Sequence, residues 1–476
     1  VLLFASEVRA LLASGQLERR IDPVALESFL WNGFTVGPRT MLTGVQLLPA
    51  GSFLDLDLEA RSAAPLRFWH PAEAGHSSDS RGLGDELQEA MRIHQIADVP
   101  LGVFLSGGID SSAMTALAAR SSQSVRTFNI SFAESEFDEA PHARAVAAAI
   151  GTEHTEIKLT EADFRHGLED ALGCIDQPTF DALNTYFVSR AVREAGITVA
   201  LAGTGGDELF GGYPSFRTLP KAALAGRALG WLPDAALRAA AGGLNSLLRN
   251  SAAGVPSQTR WGKVGDALCA RGDLLALYQS SYELFTSDFL RRLFPAAGQT
   301  VSGLPKERVQ ELRELAGTEA TLHSISRLEL ALFLGERLLR DTDAASMAVA
   351  LEVRVPLLDH RVVEETFALD EATRFAPLGR KQRLRDLGLA GLDSALFERP
   401  KQGFVLPIGD WCRRHLRGEV GATLNDTEMC RSLGLDPRVV AQLWSAFQTG
   451  SRGVYWSRVW ALFVLLRWCR QYRLAL

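Results

Sequence analysis

The sequence predicts an α/β protein built on a doubly wound parallel sheet, with a mainly helical C-terminal half. Three observations carry that prediction. Between residues 83 and 215, short apolar runs alternate with helix-forming stretches, the pattern of successive βαβ units. Two of those runs stop at glycine-rich turns, Ser106-Gly-Gly108 and Gly203-Thr-Gly-Gly206, and an open parallel sheet binds ligands at such strand ends. Beyond residue 215 the apolar spacing changes to a helical period.

Taken in order, residues 1–70 alternate apolar runs with turn signals at Gly33, Gly37-Pro38 and Pro49-Ala-Gly51, and form a short α+β unit. A linker rich in Ser, Gly and Ala occupies 71–82. The remaining residues, 83–476, divide into an α/β core at 83–215 and a helical part at 216–476. The core opens with an amphipathic helix over Asp85–Ile96, where Leu87, Met91 and Ile93 share a face. Strands follow at Leu101–Leu105, Val125–Ser131, Thr155–Leu159 and Thr198–Ala202. Helices fall between them at Ser112–Arg120, Asp138–Ile150 and Thr185–Ala195. Helical periodicity then runs through 220–250, 263–296 and 304–350.

Bulk properties narrow the function class. Fifty Lys and Arg against 56 Asp and Glu give a formal charge of −6, with no basic footprint for nucleic acid and no pull toward an acidic membrane. The apolar run Trp460–Leu466 is too short to span a bilayer. The five cysteines are scattered without a Cys-x-x-Cys pair, so neither a zinc site nor a disulfide framework is expected. With no basic leader ahead of Glu7, a cytoplasmic setting is expected.

The chemistry concentrates at the two glycine-rich turns. In Leu101-Gly-Val-Phe-Leu-Ser-Gly-Gly-Ile-Asp-Ser-Ser112, a strand gives way to a helix through small residues. Backbone N–H groups at Gly107 and Gly108, the hydroxyls of Ser106, Ser111 and Ser112, and the helix N-terminus together suit an anion. Asp110 inside that cradle calls for a cation between it and the anion. A second turn, Ala202-Gly-Thr-Gly-Gly-Asp207, offers another hard oxygen ligand in Asp207. Each turn alone is explained by helix capping or by an acid favoured at a helix start. Together they point to a nucleotide's pyrophosphate with Mg²⁺. No Gly-Lys-Ser/Thr follows, so this is not a Walker A loop.

The order of these motifs resembles the asparagine synthetase family of the ATP pyrophosphatase superfamily. The resemblance extends through Glu136-Phe-Asp-Glu-Ala140, Gly151-Thr-Glu-His154, Gly205-Gly-Asp-Glu-Leu-Phe-Gly-Gly-Tyr213, Leu351-Glu-Val-Arg-Val-Pro-Leu-Leu-Asp359 and Arg399-Pro-Lys-Gln-Gly-Phe404. It implies the ATP pyrophosphatase fold, ATP and Mg²⁺ as cofactors, and adenylation of a carboxylate followed by amide formation. It places Leu105 and Ile130 near the adenine, and Ser106, Gly107, Gly108, Asp110, Ser111 and Ser112 around the pyrophosphate. It puts Ala202 and Gly203 beside the ribose and α-phosphate, Asp110 and Asp207 at the metal, and Lys401 on a loop over the reacting centre. Glu352, Arg354 and Asp359 are expected to form buried structural ion pairs.

Two departures qualify the resemblance. Residues 1–70 resemble only the last part of the family's N-terminal glutaminase domain, and no cysteine precedes Cys174. Glutaminase activity is therefore not expected from this chain, and nitrogen is expected from ammonia, an amine or a separate glutaminase chain. The second departure is Thr204, where the family usually carries an acid, and threonine is no base at neutral pH. Asp181, Asn184 and Tyr186 are the candidate substitute contacts for an altered carboxylate. The expectation is thus a ligase acting on small molecules, with aspartate or an altered carboxylate as substrate, possible also as a homodimer. The alternative is a catalytically silent nucleotide-binding scaffold.

Overall fold

The computed structural model describes residues 2–57, 62–71, 82–132, 139–233, 262–317, 321–398, 406–451 and 453–476, with isolated positions between 235 and 258. The chain begins with helices α1 (Val8–Ala13) and α2 (Pro23–Asn32) and an antiparallel hairpin, β1 (Ser52–Asp57) and β2 (Ser62–Arg67). Asp22 starts α2 by accepting the N–H groups of Val24 and Ala25, with Pro23 at the first helical position.

The core alternates as its sequence predicts, with one helix more, α6: α3 (Leu83–His94), β3 (Leu101–Phe104), α4 (Ile109–Ser121), β4 (Arg126–Phe132), α5 (Ala140–Ile150), β5 (Glu153–Leu159), α6 (Glu161–Gly173), α7 (Ala182–Glu194) and β6 (Val199–Leu201). A short helix, α8 (Gly206–Phe210), and a longer one, α9 (Ser215–Leu229), follow. The sheet has five strands, all parallel, in the order β5-β4-β3-β6-β7. Its last strand, β7 (Glu352–Arg354), comes from far along the chain and is not foreseen in the sequence. Three residues with two charges among them carry no strand pattern. Pairing of Val199 with Glu352 and Leu201 with Arg354 makes the strand.

Alternate strand residues pack in opposite directions, so both faces are covered. Val103 and Leu201 join a core with Ala113, Met114 and Leu117 of α4 and Val146 of α5. Phe128 and Ala200 face the other way, against Val192 and Ile197. This is the doubly wound arrangement, with the first core end-capped by Leu357, Val362 and Phe367.

Short helices fill the rest of the described chain. The middle of the C-terminal helix Trp456–Tyr472 is apolar on every side because it is enclosed there: Trp460, Leu462, Phe463, Leu465 and Leu466 are fully buried. Each such side chain contributes about 1.5–3 kcal/mol of burial. Leu26, Phe29 and Leu30 of α2 belong to the same core, so the N-terminal segment packs into the helical part. Among the described residues, no helix is long and apolar enough to cross a membrane.

The expected buried cluster of Glu352, Arg354 and Asp359 is corrected here. Arg354 pairs with Glu352 at 2.6 Å, but the Glu352 side chain is 53% exposed. The same guanidinium donates to the carbonyls of His94 and Ile96. Asp359 turns elsewhere, starting the helix His360–Ala368 and pairing with Arg361 at 2.9 Å. An edge strand exposes one flank of its side chains, and capping demands an acid at the following helix start.

Candidate active site

The loops after β3 and β6 meet at the carboxyl end of the sheet, as neighbouring parallel strands require. Their contact depends on glycine. A Cβ at Gly203 would lie 2.8 Å from the Asp110 carbonyl carbon, and one at Gly206 would strike the Asp110 carboxylate. Any larger residue would drive the loops apart.

Around this junction opens a cleft of about 470 Å³ lined by Ser106, Gly107, Gly108, Asp110, Ser111 and Asp207. The N-terminus of α4 points into it, with Gly108 as its cap and Asp110 in its first turn. Ser111 Oγ lies 3.0 Å from Ser106 Oγ and accepts the Ser106 N–H at 3.2 Å, so the hydroxyls fix the turn as well as face the cleft.

The opposite wall comes from Gly379, Arg380, Lys381, Arg385, Phe397 and Glu398. Lys381 decides the electrostatics. Its ammonium lies 2.5 Å from Asp110 Oδ2 and 2.5 Å from Asp207 Oδ1, with only 5% of its side chain exposed. Burial alone would lower its pKa, but the two carboxylates outweigh burial and hold it above its ordinary value. Its backbone is left-handed, with φ of 52°, an uncommon conformation for a residue with a Cβ. Sequence reasoning missed Lys381. It lies 271 positions from Asp110, in a segment without a glycine-rich signature. The only local cue is its place after Gly379-Arg380 and before the helix Gln382–Gly388.

The other expected residues fall into three groups. Leu105 and Ile130 are buried at the strand ends, and the Leu105 carbonyl accepts the Asn129 side-chain amide at 3.0 Å. Ser112 is wholly buried behind the first loop, while Ala202, Gly203 and Thr204 form the end of β6 and the second turn, partly buried. Asp181, Asn184 and Tyr186 do not line the cleft. Asp181 forms an ion pair with Arg337, Asn184 donates to Asp181 at 3.2 Å, and Tyr186 is packed edge-on to Phe187. Lys401, Arg399–Phe404 and Glu136–Asp138 lie outside the described residues.

Residues 82–470 match the asparagine synthase family, which is most of the chain. The chain belongs to the asparagine synthase family. The glutamine-hydrolysing asparagine synthetase 1 of Bacillus subtilis is 26% identical over 437 residues, covering 89% of this chain and 65% of its own. A Mycobacterium bovis protein, provisionally named a glutamine-hydrolysing asparagine synthetase, is 28% identical over 98% of this chain and 70% of its own. The chain thus spans about two thirds of the length of these relatives. Asparagine synthetase B of Escherichia coli is 32% identical over a shorter stretch, 37% of this chain and 35% of its own. Within the asparagine synthase match lie both glycine-rich turns, Lys381 and β7.

Proposed function

We propose that this chain is an ATP-dependent ligase that adenylates a carboxylate and passes the acyl group to ammonia or an amine. The observation that carries the reading is the Lys381 ammonium between Asp110 and Asp207 where two glycine-rich loops join. Family membership supports it.

In the proposed reaction a substrate carboxylate oxygen attacks the α-phosphorus of ATP. The bond from that phosphorus to the α,β-bridging oxygen breaks, giving an acyl-adenylate and pyrophosphate. The amine nitrogen then attacks the acyl carbon, the bond to AMP breaks, and the surplus ammonium proton passes to solvent or a base. Ser106, Gly107, Gly108 and Ser111 suit the pyrophosphate through N–H and hydroxyl donors. Lys381 neutralises charge that accumulates on the departing group.

The donor set fits Mg²⁺. Asp110 and Asp207 are two hard carboxylates in the cleft, paired with the Lys381 ammonium, and Mg²⁺ commonly takes one or two carboxylates with phosphate oxygens and water. Among the described residues there is no cluster of three or more acids, histidines or cysteines that would hold a metal without substrate oxygens. When bound, the ion would polarise the phosphate oxygens. Thr204 in place of an acid supports a substrate other than aspartate, with ammonia supplied directly, an amine acceptor, or a separate glutaminase chain as donor.

ATP–pyrophosphate exchange with Mg²⁺ across a panel of carboxylates, aspartate included, tests the proposal. Exchange dependent on one carboxylate establishes adenylation and names the acyl substrate. ATP binding without exchange across the panel points instead to a nucleotide-binding scaffold.

A further inference from the structure

Beneath Asp207 lies a buried acid to which the proposed reaction assigns no task. Glu329 opens a ten-residue π-helical stretch, Glu329–Leu338, and is fully buried. Its carboxylate accepts three hydroxyls: Ser215 at 2.5 Å, Tyr278 at 2.9 Å and Tyr282 at 2.8 Å. These come from α9 and the helix Leu274–Tyr282, so one carboxylate ties together three separate elements.

The tie reaches the cleft in two ways. Glu208, the neighbour of Asp207, accepts Tyr213 Oη at 2.8 Å, and the Tyr213 ring stands edge-on to Phe333 in the π-helical stretch. Ser215, held by Glu329, closes the turn Gly211-Gly-Tyr-Pro214 that leads out of α8. Gly212 in that turn lines the cleft, where a side chain would collide with the Asp207 carboxylate and the Lys381 side chain. Asp207 and Lys381 therefore rest on a turn whose far end is fastened to Glu329. The backbone of α8 is secured separately, by Ser326 Oγ donating to the Glu208 carbonyl and Arg374 donating to the Leu209 carbonyl.

We infer that Glu329 is a positioning residue for Asp207. By holding Ser215, Tyr278 and Tyr282 it keeps the 211–214 turn pressed against the acid that faces the metal position. The inference rests on the nucleotide reading above. A carboxylate that merely filled the core would stabilise the chain without favouring metal-bound nucleotide over bare nucleotide.

The test is calorimetric binding of the α,β-methylene analogue of ATP, in excess Mg²⁺ and again in EDTA, with unfolding midpoints to establish that each variant is folded. Glu329→Gln keeps the shape but cannot accept all three hydroxyls. It is expected to weaken binding about tenfold in Mg²⁺ and less than twofold in EDTA. Tyr278→Phe removes one donor and is expected to show the same pattern at about threefold. It also serves if Glu329→Gln fails to fold. Equal losses with and without Mg²⁺, or no loss in folded variants, overturn the inference while leaving the nucleotide reading standing. Failure of the unaltered chain to bind the analogue would bring down both.

Discussion

Two polar regions of this molecule handle buried acids in opposite ways. In the cleft between the glycine-rich loops, Asp110 and Asp207 share the ammonium of Lys381 at 2.5 Å. At the second, where the N-terminal segment meets the helix Leu339–Met347 and the approach to α7, a smaller cavity of about 130 Å³ is lined by Asp176, Thr179, Glu336, Arg340 and Asp341. There Asp341 is enclosed, and burial pushes its carboxyl up to about 7 despite the pull of Arg337. Asp176 is likewise raised by burial. In the first region a cation lies at bonding distance from both acids. Desolvation outweighs less direct cationic help in the second. The proposed metal-bound nucleotide would meet the first region, where both acids are already paired with a cation.

The strongest way to break that contrast is Lys381→Ala. Two carboxylates would then face one another in a confined site, and removing one side of a buried pair costs about 3–5 kcal/mol. The unfolding midpoint should drop by several degrees, and Mg²⁺-nucleotide affinity should fall on the order of 100-fold. A midpoint and an affinity like those of the unaltered chain would remove Lys381 from the site. Asp110→Asn comes next, since it removes one of the two carboxylates on Lys381 and weakens one proposed hard ligand. Carboxylate-dependent ATP–pyrophosphate exchange should fall on the order of 100-fold, and the unfolding midpoint should drop less than in Lys381→Ala because Asp207 still pairs with the ammonium.

Asp341→Asn sharpens the other side. With a folded pKa near 7 against an ordinary 3.8, the folded chain keeps a proton through a range where the unfolded chain has lost it. Stability from this group is full below about pH 4 and is lost as pH rises through 7. Relative to the unaltered chain, Asp341→Asn should be more stable at pH 8 by about 4 kcal/mol at most, and the gain should vanish toward pH 4. Denaturant titrations at several pH values would show it, and a gain independent of pH would refute the protonated state. Glu352→Ala is the smallest effect. Its ion pair with Arg354 is half-exposed, so the change should be about 0.5 kcal/mol or less.

How much was legible in the sequence varies with the range of the forces involved. Strand β3, its turn and α4 are specified by contiguous residues, so both the glycines and Asp110 stand out as a unit. The turn after β6 is legible for the same reason, down to Asp207. Strand β7 was missed because three residues at a sheet edge carry no period, and the pairing partner supplies the structure. Asp181 and Asn184 follow Gln177-Pro178 in a suggestive cluster, yet Arg337 claims Asp181 from a helix more than 150 residues away.

By itself the sequence determined the α/β class, the parallel alternation, and the two loops with their acids, because backbone geometry and small side chains act over a few neighbouring positions. Only the tertiary structure decided that Lys381 sits between those acids, that Glu329 anchors the turn behind them, and that burial raises the Asp341 carboxyl. Charge state depends on desolvation and on partners within a few ångströms, and those are set by the packing of distant segments.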